Sequence, residues 1–226
     1  MKPLLNYVDA VLFDLDGTLV ETNIDFALMK REVMSLAIEA GMQAEAMEEF
    51  DILGVLAKTV EFIAKNGNSK EAEAIRQRGM SILEEIELRH ARKSSEIDFA
   101  RELLESLRNQ GIGVGIVTRN CRSASELSID IVGIEVDVLI CREDSNKHKP
   151  HPEPVILALS ALNAEARNSI MVGDHIIDVQ AGKAAGTKTI GFLRENRPQD
   201  FFDNIAPDFI ACNLREVLDA IICCNR

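Results

Sequence analysis

The sequence predicts an α/β protein: a parallel sheet with helices on both faces and a helical segment inserted after the first strand. Three features of the 226 residues point there. Short β-branched apolar runs alternate with stretches of helical apolar spacing. Each run ends in polar or glycine residues. One long interval interrupts the alternation. Strand alternating with helix argues for a parallel sheet, because parallel neighbours need a crossover long enough to hold a helix.

The first strand is expected at Ala10–Phe13, where an apolar run stops at Asp14. From Glu21 to about Ser95 no convincing strand follows. Instead Ile24–Glu39, Ala44–Ala64 and Lys70–Arg92 carry apolar residues at helical spacing, with turns at Gly41 and Asn66-Gly67-Asn68. A helix at Ile97–Asn109 then leads to a strand at Gly113–Thr118, and a helix at Ser123–Ile131 to a strand at Val136–Ile140. Pro152–Leu162 and Ser169–Gly173 repeat the unit, as do Ile177–Ala185 and Lys188–Gly191. A weaker sixth strand, Asp208–Ala211, and a helix at Leu214–Cys223 close the pattern. Right-handed crossovers then bring the C-terminal strand ends to one edge, as in Rossmann-like sheets, where ligands bind.

Composition narrows the function classes. The apolar fraction of 46% and charged fraction of 27% are those of an ordinary soluble globular protein. A formal net charge of −12 argues against a general nucleic-acid or anionic-membrane surface. No apolar stretch approaches the roughly 18–20 residues that span a bilayer. Pro3, Asn6 and Asp9 interrupt the N-terminal segment, and no small-residue cleavage site follows. Five cysteines, odd in number and without metal-type spacing, suit a reducing cytosol. The expectation is a cytoplasmic protein, monomer or homodimer, with no nucleic-acid or membrane partner. Cys121 lies close to the motifs below, but nothing in them requires its thiol.

Chemistry concentrates at the strand ends. Asp14 and Asp16 stand two residues apart in FDLDGT, and like charges so placed repel unless a cation joins them or one holds a proton. Mg²⁺ suits such a place, since it takes oxygen ligands and keeps waters and a substrate phosphate in its octahedron. A second acidic pair, Asp174 and Asp178, ends the strand in MVGDHIID. Gly17 permits an unusual backbone angle and Thr18 offers a hydroxyl. VTRN adds the Thr118 hydroxyl beside Arg119 and Asn120, and NKHKPHPEP adds Lys149, with Lys147 as a rival two residues earlier. A lysine there can act as a point charge on a phosphoryl group. His148, His151 and His175 lie in the same loops and are read as solvated or supporting, because the carboxylates already provide an acid and a base.

FDLDGT, VTRN, KPHPEP and GDHIID, in that order, resemble the four signature motifs of the haloacid dehalogenase-like hydrolase superfamily. The resemblance covers nearly the whole chain. It matches the inserted helices to the cap of the subgroup that includes phosphoglycolate phosphatase and β-phosphoglucomutase. It implies a hydrolase core at 1–20 and 96–226 and a helical cap domain at 21–95. Asp14 would attack phosphorus and become an aspartyl-phosphate, a covalent route that splits one hard step into two. Asp16 would protonate the leaving oxygen and later deprotonate water, so the pair should titrate as a unit. Thr118 and Lys149 would hold the phosphoryl group, with Arg119 and Asn120 as further substrate contacts. Mg²⁺ would bind an Asp14 oxygen, the Asp16 backbone carbonyl, Asp174 and Asp178.

The expected substrate is a small phosphorylated metabolite, phosphoglycolate-like or a sugar phosphate. A phosphomutase of the β-phosphoglucomutase type is the nearest alternative, separated by whether water or a second hydroxyl accepts phosphorus. Family dehalogenases lack the second acid. A phosphonate-cleaving relative would need a cap lysine; Lys30, Lys58 and Lys65 read as solvated faces. Specificity is expected from Glu21–Phe26 and the inserted helices, where Arg31, Arg76 and Arg78 are possible anion contacts. A phosphoacceptor signalling domain or a binding-only relative is the alternative from another class. Receiver domains are shorter and place the phosphorylated Asp on a later strand, and a binding-only relative should lack Asp14 or Asp16.

Overall fold

The computed structural model describes residues 4–67 and 69–222. Asn68 of the expected turn and Cys223 of the expected last helix lie outside the described residues. In chain order, β1 is Ala10–Phe13, β2 Val20–Glu21, α1 Phe26–Glu39, α2 Ile52–Lys65, α3 Ser69–Ala91 and β3 Ser95–Glu96. Then come α4 at Ala100–Asn109, β4 at Gly113–Val117, α5 at Arg122–Val132, β5 at Val138–Ile140 and α6 at Glu153–Ala161. β6 at Ser169–Gly173, α7 at Ile176–Ala185, β7 at Lys188–Phe192, β8 at Phe209–Ala211 and α8 at Leu214–Ile222 complete the chain. These residues pack as two compact units, Met1–Thr22 with Ala91–Arg226, and Asn23–His90.

The larger unit is built on a sheet in the order β5-β4-β1-β6-β7-β8, with every pairing parallel. β1 has β4 on one side and β6 on the other, so the chain leaves it one way and returns the other. A crevice opens outside the strand ends at such a reversal. Successive side chains of a strand point to opposite faces, and β1 divides accordingly. Val11 and Phe13 join Leu103, Leu104 and Leu107 of α4 and Leu214, Val217 and Ile221 of α8. Ala10 and Leu12 join Val155, Ala158 and Leu159 of α6 and Ala181 of α7. All four β1 residues are fully buried, which is why the strand reads as an unbroken apolar run. β2 and β3 form a separate antiparallel ribbon, Val20 opposite Glu96 and Glu21 opposite Ser95.

The smaller unit is helical. Asp25 and Asp51 cap α1 and α2, their carboxylates accepting from the Leu28 and Gly54 backbone N–H groups at 2.7 and 2.8 Å. Its core joins Met29, Val33 and Ala37 of α1 to Val55 and Leu56 of α2 and Leu83 and Ile86 of α3. Gly79 lets Leu56 approach where any Cβ would overlap it. No helix among the described residues is long and apolar enough to cross a membrane.

Several boundaries differ from the sequence expectation for local reasons. The single helix expected over Ala44–Ala64 is a 3₁₀ turn at Ala44–Met47 followed by α2, because the Asp51 carboxylate takes the capping position between them. The strand expected from Val136 begins at Val138, since the Asp137 side chain accepts from the Val114 backbone at 2.9 Å. The helix expected from Ile97 begins at Ala100, after Phe99 adopts a left-handed φ of 73°. β2 and β3 border the interval from Glu21 to about Ser95 expected to lack strands, which holds only helical elements between them among the described residues. With two residues each, they are too short to display a period.

Candidate active site

Four strand-end segments of the larger unit converge. Asp14 follows β1, its backbone N–H donating to Val172 of β6 at 2.9 Å. Thr118 follows β4, and its backbone N–H donates to Ile140 of β5 at 2.9 Å. Lys149 lies between β5 and α6, while Asp174 and Asp178 follow β6 and open α7. Parallel pairing puts these ends on one edge, so residues up to 164 apart in sequence meet through sheet topology.

Lys149 is the hub. The residue is 2% exposed, and its ammonium donates to Asp14 Oδ1 at 2.6 Å and the Val117 carbonyl at 2.6 Å and pairs with Asp178 Oδ1 at 2.7 Å. An ammonium has three protons, and three oxygens receive them. Its pKa is raised, because Asp14 and Asp178 together outweigh the burial that would otherwise lower it. Lys147, the rival from the sequence, is exposed.

Asp14, Asp174 and Asp178 each present a carboxylate oxygen, all within 4.8 Å of one another. Burial pushes Asp14 up to about 6; Lys149 opposes the shift and Asp178 adds to it. Asp174 rises to about 7, through desolvation first and then the charges of Asp14 and Asp178. One lysine therefore leaves the acids short of positive charge. An all-oxygen donor set with surplus negative charge fits a hard divalent cation.

Two glycines clear the space. Gly17 has φ +80°, and a Cβ there would strike the Asp174 carboxylate. A Cβ on Gly173 would overlap the Asp178 side chain. The Thr18 hydroxyl accepts from the Asp174 backbone N–H at 3.1 Å, and Asp178 Oδ2 accepts from the His175 N–H at 3.1 Å as part of the α7 cap.

Asp16 has partners of a different kind. Its Oδ1 accepts from the Thr22 hydroxyl and its Oδ2 from the Asn120 side-chain amide. Asn120, expected from the sequence as a substrate contact, thus aims its amide at Asp16. Arg119 is partly exposed, and its backbone carbonyl accepts from Arg142 at 3.4 Å. His151 is exposed, and His175 accepts from the Ile177 N–H at 3.4 Å through Nδ1 and lies edge-on to Phe201 at 5.9 Å.

Three participants went unread in the sequence. Thr22 fell in the Glu21–Phe26 stretch expected to set specificity, where no spacing marked it as a partner of Asp16. Arg142 is 5% exposed and donates its backbone N–H to the Asn120 carbonyl at 3.0 Å. Arg194 follows β7, donates to the Gly17 carbonyl at 2.8 Å and pairs with Glu21. A polar residue just beyond a strand end was the only available signal for it.

A parallel α/β core with this acid–lysine cluster at its strand reversal defines a class of hydrolases. Residues 11–192 match the family described as haloacid dehalogenase-like hydrolase, and the chain belongs to that family. It is a hydrolase of the family's phosphatase kind. A Clostridium perfringens relative provisionally named pyrophosphatase PpaX is 31% identical over 95% of this chain and 97% of its own. The Bacillus velezensis pyrophosphatase PpaX is 29% identical over 93% and 95%. Among solved structures, a haloacid dehalogenase-like hydrolase of Bacteroides fragilis, provisionally so described, superposes with TM-score 0.67 at 21% identity. That match covers 93% of this chain and 99% of the other. A provisional phosphoglycolate phosphatase of Haemophilus somnus gives TM-score 0.62 at 19% identity, covering 96% and 98%. At such identities the structural matches speak for the fold alone.

Proposed function

We propose that this chain hydrolyses a small phosphorylated compound through a phosphorylated Asp14, with Mg²⁺ as cofactor. The observation that carries the reading is the division of labour among the acids. Asp14 sits with Lys149, Asp174 and Asp178, while Asp16 accepts from the Thr22 hydroxyl and the Asn120 amide. On this reading Asp14 is assigned as the nucleophile and Asp16 as the proton carrier.

Lys149 occupies Asp14 Oδ1, leaving Oδ2 to attack. The Oδ2–phosphorus bond forms, the bond to the leaving oxygen breaks, and that oxygen takes the Asp16 proton. Water then attacks phosphorus, Asp16 takes its proton, and the bond to Asp14 breaks to release phosphate. Thr118 and Arg119 are assigned to the phosphoryl oxygens as donors and Lys149, whose protons are taken by three protein oxygens, as the point charge beside them, so that fixed groups stabilise transition-state charge. Asp14, Asp174 and Asp178 would hold Mg²⁺ together with the Asp16 carbonyl. When bound, the cation neutralises phosphoryl charge and keeps Asp14 ionised at neutral pH.

The first substrate to test is pyrophosphate, because relatives sharing nearly their full length bear the name pyrophosphatase. 2-Phosphoglycolate and sugar phosphates follow. The inserted unit Asn23–His90 is proposed as the cap that selects among them. In that unit Arg76 pairs with Glu73 and Arg78 with Glu39, both at 2.7 Å on the surface, which leaves Arg31 as the cation to test first. The experiment is phosphate release from this panel with Mg²⁺ and with chelator. Release that requires Mg²⁺ supports the reading. Stable autophosphorylation without release, or turnover of a sugar phosphate without free phosphate, overturns it. Asp14→Asn should lower turnover by more than about a thousandfold with the fold retained. Near wild-type turnover would remove Asp14 as nucleophile.

A further inference from the structure

Arg194 reaches across the sheet edge to the segment that follows the two first-motif acids. Its Nη1 donates to the Gly17 carbonyl at 2.8 Å, and its Nη2 pairs with the Glu21 carboxylate at the end of β2. The two anchors are four residues apart, and the guanidinium fork binds both ends of that span at once. Next to Glu21 is Thr22, whose buried hydroxyl donates to Asp16 Oδ1. The Gly17 end of the span starts one residue after Asp16.

The first part of the span is also held from within: the Gly17 N–H donates to the Val20 carbonyl at 2.8 Å, the Leu19 and Val20 N–H groups donate to the Leu15 carbonyl at 3.0 Å, and Thr18, Leu19 and Val20 are buried. Gly17 is in the left-handed region, and β2 contributes only two residues to its ribbon with β3. Past Val20 the chain rests on that two-residue ribbon and on the Arg194–Glu21 pair, so losing the pair would act on the neighbouring Thr22 hydroxyl. Arg194 is 23% exposed and Glu21 33%, so the pair is partly shielded, and a two-point guanidinium clamp has geometric specificity beyond its charge.

We propose that Arg194 is a positioning residue for proton transfer: by clamping Gly17 and Glu21 it holds Thr22 against Asp16 and so orients the carboxyl group that protonates the leaving oxygen. This rests on the reading of Asp16 as the general acid. Loss of an oriented acid costs most where the leaving oxygen most needs a proton. A nitrophenolate leaves readily without one, whereas an alkoxide does not.

The test compares kcat/KM on p-nitrophenyl phosphate and on an alkyl phosphate monoester for wild type, Asp16→Asn, Arg194→Ala and Glu21→Gln. Asp16→Asn is the reference and should lose about a hundredfold or more on the alkyl ester beyond its loss on the nitrophenyl ester. Arg194→Ala and Glu21→Gln should show the same bias, at least about tenfold, with Arg194→Lys recovering only part because lysine cannot bind both anchors. Glu21→Gln keeps the Gly17 contact and carries the comparison if circular dichroism shows Arg194→Ala unfolded. Equal losses on both esters in the Arg194 and Glu21 variants, beside a biased Asp16→Asn, would overturn the clamp. Equal losses in Asp16→Asn itself would overturn the acid assignment beneath it.

Discussion

Lys149 is buried because it is paired, and its partners are tolerated because it is there. The ammonium lies 2.6 Å from Asp14 and 2.7 Å from Asp178, with a third bond to the Val117 carbonyl. Removing one member of such a group leaves buried charge uncompensated, which costs about 3–5 kcal/mol. Lys149→Met should therefore lower stability by that amount in urea denaturation with chelator present. A loss below about 1 kcal/mol would mean that the acids had simply taken up protons. Pairing of this kind cannot be seen in a sequence: Lys147 and Lys149 differ there only by the proline that follows. Burial separates them, one exposed and one enclosed. Asn120 makes the same point. Its place in VTRN suggested substrate, whereas its amide faces Asp16, and only three-dimensional adjacency reveals a partner 104 positions away.

At the scale of elements, the strands were legible where both faces are buried, and the ends were decided by side chains that compete with the backbone. Asp137 shortens β5 and Asp51 divides a helix in this way. Asp208 does related work at the sheet edge, where β8 pairs with β7. Its carboxylate accepts from the Thr189 backbone at 2.9 Å, the Thr189 hydroxyl at 3.1 Å and Lys188 at 2.7 Å. Partial burial raises its pKa, but the Lys188 and Thr189 hydrogen bonds outweigh that and leave it below the ordinary 3.8. A carboxylate depressed in the folded state contributes stability above its unfolded pKa, and that contribution is lost as pH falls through the folded value. Asp208→Asn should cost about 1–2 kcal/mol at pH 7. The gap from wild type should hold down to about pH 5 and close below the native value. Melting curves across pH 2–7 check this, and a gap that does not change with pH would refute the charge-based account.

At the scale of the whole molecule, the Mg²⁺ site proposed on the three acids beside one lysine would couple metal binding to folding. Asp14, raised to about 6, and Asp174, raised to about 7, would bind a divalent cation in competition with protons as pH falls through that range. Mg²⁺ at a hundred times its dissociation constant should stabilise the protein by about 2.7 kcal/mol, with a rise in Tm. Asp174→Asn should abolish most of that rise while leaving the protein folded. A rise of equal size in the variant would place the ion elsewhere. This readout is independent of turnover, so it tests the metal proposal even if the substrate panel misses the right ester.

The sequence by itself determined the order of elements, the interval filled by helices and the four segments that carry chemistry. Those are local properties: apolar periodicity, turn residues and motif composition are written along the chain. Tertiary structure decided which groups touch. It put Lys149 between two acids, joined Asp16 to Thr22 and Asn120, and brought Arg194 back to Gly17 and Glu21. Such contacts arise because parallel pairing delivers distant strand ends to one edge, and no local pattern encodes which side chains will then face each other.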